Sequence, residues 1–281
     1  MDMNITTLEN TGIEKITDTF NLSFSDYLIP FHLTPEQLLS KMKTDKVVPG
    51  YSVGVFEGED MIAFILHGAD IINGRRVIYN GGTGVIPERR GQGLTKQMYD
   101  YILPSLRTEG MDYLVLEAIS GNIQAIKSYR KSGFEVARGL RCYKGLITPE
   151  DQSDRVVVNK LERYDWMLMQ SFWDFVPTWQ NSANILDELI ESNISLGAYI
   201  KGRLAGYLIY NPASRRIQQL AVDKNFRRMK VASSLISVIV KEYGNDLSMI
   251  NVDEDSGPMD SFLIKTGFDH FLNQVEMKLM F

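Results

Sequence analysis

The residues best placed to do chemistry are Arg90-Gly91-Gln92-Gly93-Leu94-Thr95. They follow an apolar, β-favouring run that turns at Pro87, and they lead into Lys96-Gln97-Met98-Tyr99, which reads as the start of a helix. A strand, a Gly-rich turn and a helix N terminus together make an anion site. The first backbone N–H groups of a helix have no partner within it, and that end carries partial positive charge. Glycines let the backbone come close to a phosphate, and consecutive N–H groups form a concave nest. Gly-x-Gly alone fits an ordinary strand-to-helix turn equally well. The chain has no Gly-x-x-x-x-Gly-Lys-Ser/Thr, and the third glycine of a Gly-x-Gly-x-x-Gly fingerprint would fall at Lys96.

The elements that must hold this loop can be read on either side of it. Ile13, Ile16, Phe20 and Phe24 sit near helical spacing. Thr34, Pro35 and Gln37 form a capping-box start for a second helix running to about Lys43. Tyr51–Phe56 and Met61–Leu66 make a hairpin, and a strand from Val77 to Val85 enters the loop. A helix follows from Leu94 to about Glu109, with Pro104 expected to kink or shorten it. Then come a strand at 113–118, a helix at 122–131 and extended chain to Lys144. The order implies a mixed α/β sheet of α+β type.

Length and composition fit two domains of a globular protein, with 281 residues, 44% hydrophobic and 23% charged. The formal charge of -5 leaves no basic footprint, so no nucleic-acid partner is expected. Cys142 is the only cysteine and the histidines, His32, His67 and His270, are scattered, so neither a disulfide nor a metal site is expected. Cys142 itself reads as structural rather than nucleophilic. Residues 1–16 do not look like a signal peptide, and the apolar run Val231–Val240 is far too short to span a membrane. The expectation is a cytoplasmic protein with no membrane partner; the oligomeric state is left open.

Polar, Pro-containing residues 146–155 suggest a linker, and beyond it the pattern returns. Ser23-Phe24-Ser25-Asp26-Tyr27 is echoed by Ser171-Phe172-Trp173-Asp174-Phe175, Arg89-Arg90 by Arg227-Arg228, and Gly133-Phe134 by Gly267-Phe268. The separations, 148, 138 and 134 residues, are each near half the chain. Two diverged copies of one fold are implied, at 1–147 and 156–281.

Arg90-Gly91-Gln92-Gly93-Leu94-Thr95 resembles the pyrophosphate loop, Arg/Gln-x-x-Gly-x-Gly/Ala, of the GNAT superfamily of acetyl-CoA-dependent acetyltransferases, with Thr95 where Gly or Ala is usual. Leu116-Glu117-Ala118, Asn122, Ala125, Tyr129, Lys131 and Gly133-Phe134 resemble, in order and spacing, that family's following strand-loop-helix segment. The resemblance covers roughly Tyr51 to Lys144 and extends to the second half at the level of fold, giving two tandem GNAT-like acyl-CoA N-acyltransferase domains.

The resemblance implies direct transfer of an acetyl group from acetyl-CoA to a primary amine. An alkylamine is mostly protonated at neutral pH, so a base has work to do, and an acid stabilises the leaving thiolate. Tyr129 stands at the position of the family's tyrosine acid. Glu117 stands where the N-terminal acetyltransferases acting on ribosomal proteins carry a glutamate base. Gly84 and Val85, on the strand that pairs with pantetheine in the family, would join Arg90, Gly91, Gln92, Gly93, Leu94, Thr95 and Asn122 in holding the cofactor. Asn122 reads equally as an N-cap. Asp26 and Tyr27 lie where the family often meets its acceptor, and Arg89 reads as a solvated charge.

Shifting by 138 residues puts Val231 on Gly93, and shifting by 134 puts Leu263 on Tyr129 and Ser256 on Asn122. The second half is therefore expected not to bind acetyl-CoA productively and to cover or shape the first. The run from Phe172 to Trp179 reads as core before cleft lining. Two other readings remain: a non-catalytic acyl-CoA-binding regulatory module, and an enzyme whose acceptor is a peptide or protein amine rather than a small molecule.

Overall fold

The computed structural model describes residues 3–26, 32–148 and 153–281. Tyr27 and the middle of the expected linker lie outside them. In chain order the elements are β1 (Met3–Thr7), α1 (Ile13–Ser23), α2 (Pro35–Thr44), β2 (Val53–Glu57), β3 (Asp60–Ile72), β4 (Arg75–Val85), α3 (Leu94–Thr108), β5 (Tyr113–Ile119), α4 (Ile123–Lys131) and β6 (Glu135–Leu146). They continue as β7 (Val157–Lys160), α5 (Trp166–Gln170), α6 (Ala183–Glu188), β8 (Ile194–Ile200), β9 (Arg203–Asn211), β10 (Arg216–Val222), α7 (Val231–Tyr243), β11 (Asp246–Asp253), α8 (Gly257–Thr266) and β12 (Asp269–Met280). The fold is mixed α/β.

Two compact units form, one from residues 1–137 with 275–281, the other from 138–274. In the first unit the strand order is β1-β2-β3-β4-β5, followed by the end of β12. Strands β1 to β4 are antiparallel neighbours, and β4 and β5 run parallel. Alternation along β3 feeds two cores. Ala63 and Ile65 face Met98, Tyr99 and Ile102 of α3 and Ile126 and Tyr129 of α4; Phe64 and Leu66 face Ile16 and Phe20 of α1 and Leu38 of α2.

Helix α2 begins as its sequence predicts. The Thr34 hydroxyl accepts from the Gln37 N–H, and the Gln37 side chain accepts from the Thr34 N–H. Helix α3 runs through Pro104 to Thr108 rather than ending early. Its apolar face, Met98, Ile102, Leu103 and Leu106, is buried on both sides of the proline, and this burial outweighs one lost hydrogen bond. β1 has no clear signal in the sequence, because Asn4-Ile5-Thr6-Thr7 is too short and polar to announce a strand.

The closing strand of the first unit comes from the far end of the chain. Met277 and Leu279 are 0% and 4% exposed in the first unit's core, with Val275 and Phe281 packed against it. Phe281 N–H donates to the Asp112 carbonyl at 3.1 Å. The second unit, ordered β6-β11-β10-β9-β8-β7, takes its own end strand from residues 138–146. β6 pairs antiparallel with β11, from Leu146 opposite Asp246 to Leu140 opposite Asp253. Its core repeats the scheme, with Leu208 and Tyr210 facing α7 and α8, and Tyr207 and Ile209 facing α5 and α6. Cys142 lies buried in β6, its Sγ 3.3 Å from Gln274 Oε1.

Candidate active site

The anion loop takes the shape its glycines allow. After β4 a single 3-10 turn, Pro87–Arg89, delivers Gly91 at φ +79° and Gly93 at φ +74°. Both conformations are left-handed, and a Cβ at either glycine would meet nothing within 4 Å, so the loop faces open space. Leu94 is buried and anchors the start of α3. The first helical amide to bond is Gln97, 3.1 Å from the Gly93 carbonyl. The amides of Leu94, Thr95 and Lys96 therefore precede the helix ladder and point out of its positive end. Gln92 is exposed, and its carbonyl accepts from Gln97 Nε2 at 3.1 Å.

Arg90 does not turn its guanidinium to this opening. Two of its nitrogens grip Asp26 at 2.7 Å each, one also reaches the Ser23 carbonyl at 3.0 Å, and Nε reaches the Val85 carbonyl at 3.2 Å. Its hydrogen bonds to Asp26 hold that carboxyl below its usual range. Two residues assigned by sequence to cofactor and acceptor are thus brought together as a strut between the end of α1 and the loop. Arg89, expected to be solvated, pairs with Glu57 of β2.

Next to the loop, the sheet opens. β4 and β5 pair only at Val77–Tyr113, Ile78–Leu114 and Tyr79–Val115, and then part. A bulge at Gly81 interrupts the register with β3. Asn80 fixes it, accepting from Gly82 N–H at 2.9 Å and donating to the Tyr99 hydroxyl at 2.7 Å and to Thr83 Oγ1 at 2.8 Å. Beyond it Gly84 and Val85 pair with β3 on one edge, while no pairing with β5 continues on the other. Gly84 has a packing reason as well: a Cβ there would lie 2.4 Å from the Phe64 ring and 2.8 Å from Ser23 Cβ.

Glu117 lies on β5 just past the last paired residue, half-buried, and accepts a hydrogen bond from the Tyr79 hydroxyl at 2.8 Å. The following helix, α4, is capped by Asn122, whose Oδ1 accepts from Ala125 N–H at 3.1 Å. The capping reading of Asn122 therefore accounts for its side chain. Tyr129, two turns along, is 9% exposed, and its ring stands edge-on to Phe134 and Tyr99, with centroids 5.8 and 6.4 Å away.

Tyr79, Asn80 and Tyr99 shape the site without having been singled out in the sequence. Nothing in their spacing distinguishes them from other strand and helix residues. The same holds for His67, which is fully buried on β3 opposite Asn80. Its Nδ1 lies 2.8 Å from the Tyr51 carbonyl, and burial pushes its pKa down to about 4. Among the described residues no three His, Cys, Asp or Glu gather into a metal-binding group, and no helix is long and apolar enough to cross a membrane.

The second unit repeats this construction at a separation of 137 residues, from Gly91 to Arg228 and from Gly93 to Lys230, not the 138 suggested by the arginine pairs. Lys230, not Val231, therefore stands at Gly93. Arg228 at φ +62° and Lys230 at φ +63° hold the left-handed turns without glycine, and Ser234 N–H bonds the Lys230 carbonyl as Gln97 bonds Gly93. Arg227 grips Asp174 at 2.7 Å, as Arg90 grips Asp26. Leu263 replaces Tyr129: Phe268 N–H bonds the Leu263 carbonyl just as Phe134 bonds Tyr129.

The profile of the acetyltransferase (GNAT) family matches residues 16–134 and again residues 162–268. Among solved structures, a tandem GNAT protein from the clavulanic acid biosynthesis pathway superposes with a TM-score of 0.74 at 12% identity, covering 99% of this chain and 98% of that one. A GCN5-related N-acetyltransferase from Sphaerobacter thermophilus gives 0.73 at 11% identity over 99% and 95%. A putative acetyltransferase from Pyrococcus horikoshii gives 0.71 at 14% over 99% and 89%. At these identities the likeness is one of fold. No curated protein matches the chain. With its profile matched in both halves over most of the sequence, the chain belongs to the acetyltransferase (GNAT) family, as an acyltransferase with two GNAT domains in tandem.

Proposed function

We propose that the first unit moves an acetyl group from acetyl-CoA to a primary amine, in one step with both substrates bound. The observation that carries this reading is the wedge between β4 and β5, with Glu117 on one wall, Tyr129 on the helix beyond and the amide-lined start of α3 at its mouth. The pyrophosphate would lie on the N–H groups of residues 91–95, where the two glycines leave open space. The unpaired edge of β4 at Gly84 and Val85 suits the amides of the pantetheine arm.

In the proposed reaction the amine nitrogen attacks the thioester carbonyl, a C–N bond forms and the C–S bond breaks. Glu117, fixed by Tyr79, takes the proton the amine must lose, directly or through water. Tyr129 gives a proton to the departing thiolate. Each role is worth roughly 10²–10⁴-fold.

Tyr129→Phe removes one hydroxyl and leaves the ring packing against Phe134 and Tyr99 intact. With an amine panel as acceptors, kcat is expected to fall by about 10²-fold or more while KM for acetyl-CoA holds. Glu117→Gln should lower kcat and flatten the alkaline-rising limb of its pH profile. Full activity in Tyr129→Phe would remove the acid from the mechanism. Acetyl-CoA binding without turnover of any small or peptide amine would favour the regulatory-module reading instead.

A further inference from the structure

The wedge of the first unit would have to hold one ligand at two places, its arm along β4 and its pyrophosphate at the start of α3. Whatever sets the distance between those places is therefore part of the site. β4 leaves β5 after the Tyr79–Val115 pair, so Asn80 is the first residue beyond the apex. α3 starts at the mouth, with Gly93 as its N-cap. The two elements share a core in which Ile78 packs with Met98 and Ile102. Apolar packing is non-directional, whereas a hydrogen bond fixes a distance and an angle.

Asn80 supplies such a bond. It is 6% exposed, and its amide is fully used. Oδ1 accepts from Gly82 N–H at 2.9 Å, and Nδ2 donates to the Tyr99 hydroxyl at 2.7 Å and to Thr83 Oγ1 at 2.8 Å. Through Oδ1 it holds the bulge. The register with β3 steps from His67–Asn80 to Leu66–Gly82, which makes Gly81 the extra residue. A Cβ at Gly81 would lie 2.8 Å from Oδ2 of Asp45, a buried carboxylate paired with Lys41. One extra residue shifts the alternation of the strand by one. The bulge thus decides which backbone groups of Thr83, Gly84 and Val85 meet the open edge.

Through Nδ2 the same side chain holds the helix. Tyr99 lies in the second turn of α3, about 9 Å along its axis from Gly93. It is 0% exposed, and its ring packs among Phe134, His67 and Tyr129, with centroids 5.1, 5.7 and 6.4 Å away. Burial holds its hydroxyl well above the usual tyrosine range, so it keeps its proton and is not the acid of the reaction.

We infer that Asn80 and Tyr99 are positioning residues: their hydrogen bond sets the span between the open edge of β4 and the start of α3, and so favours a ligand that fills both places at once. The inference rests on the placing of acetyl-CoA in this wedge. Two linked parts of a ligand bind more tightly than either alone only where the separation of their sites matches the link.

The test is calorimetric titration of the full chain and of Tyr99→Phe with acetyl-CoA and with 3′-phospho-ADP, which is CoA without its pantetheine arm. The substitution removes one hydroxyl, keeps the packed ring and leaves Asn80 Nδ2 bonded to Thr83. Acetyl-CoA is expected to bind about tenfold more weakly, the consequence of losing one hydrogen bond, while 3′-phospho-ADP binds as before. Asn80→Ala, which also releases the bulge, should widen the gap between the two ligands. Equal weakening of both would show that the bond only supports the loop, and no weakening of either would show that the span is set elsewhere; each overturns the inference. Failure of the unaltered chain to bind acetyl-CoA is a distinct result, which would overturn the placing of the cofactor and this inference with it.

Discussion

Glu117 and Tyr129 are twelve residues apart in the chain and belong to different elements, yet each meets a neighbour the motif does not contain. Tyr79 donates to Glu117, and Tyr99 stands edge-on to Tyr129. Tyr79→Phe should therefore lower kcat with Glu117 still present, and alter the pH profile where Glu117→Gln alters it; an unchanged profile would mean that Tyr79 only packs. His67 gives a second expectation at this scale. In the unfolded chain it binds a proton below its ordinary value of 6.5, but in the folded unit only below about 4. The unfolded state thus holds more protons across that window, and stability falls as the pH is lowered through it. The loss by about pH 4.5 is about 2–3 kcal/mol, and is absent above about pH 7. Chemical unfolding of His67→Gln at both pH values should show a flatter dependence; an identical slope would place the titration elsewhere. The motif residues were legible in the sequence because their spacing is fixed by strand and helix geometry. Tyr79, Tyr99 and His67 were not, because partners across a sheet leave no mark in local spacing.

Among the elements, the loop before α3 is held by more than its glycines. The Arg90–Asp26 strut fixes it to the end of α1, and Arg227–Asp174 repeats the device in the second unit. A bidentate guanidinium–carboxylate pair sets geometry as well as charge, which lysine cannot reproduce. Asp26→Ala and Arg90→Lys are expected to raise KM for acetyl-CoA several-fold, with kcat and the amine's KM little changed. A rise confined to the amine would instead return Asp26 to the acceptor site that its position suggests. The repeat was visible in these same residues, but the register was one residue out. L-residues can hold left-handed turns at roughly 1–2 kcal/mol each, so Arg228 and Lys230 keep a loop shape that a search for glycines misses.

For the whole chain, the unit boundary does not follow the linker. The first unit is completed by residues 275–281 and the second begins at residue 138, before the linker candidate at 146–155. Alternation in Val275, Met277, Leu279 and Phe281 tells which face is buried but not which strand lies alongside. The same holds for the extended stretch after Phe134, whose sequence does not say which strand it joins. Deleting residues 275–281 removes two fully buried apolar side chains, worth about 3–6 kcal/mol by burial alone. The truncated chain should lose the first unit's cooperative unfolding and its acetyl-CoA binding while the second unit still melts. Unaltered unfolding would contradict the assignment of this strand to the first core.

The proposed reaction needs one productive acetyl-CoA site, at Gly91–Thr95 of the first unit. It is tested by calorimetric titration of the full chain with acetyl-CoA, beside the Gly93→Glu variant. One site per chain is expected, abolished by the substitution. Two sites, or one that survives Gly93→Glu, would place the cofactor elsewhere, and no binding to the unaltered chain would leave the fold without the reaction proposed for it.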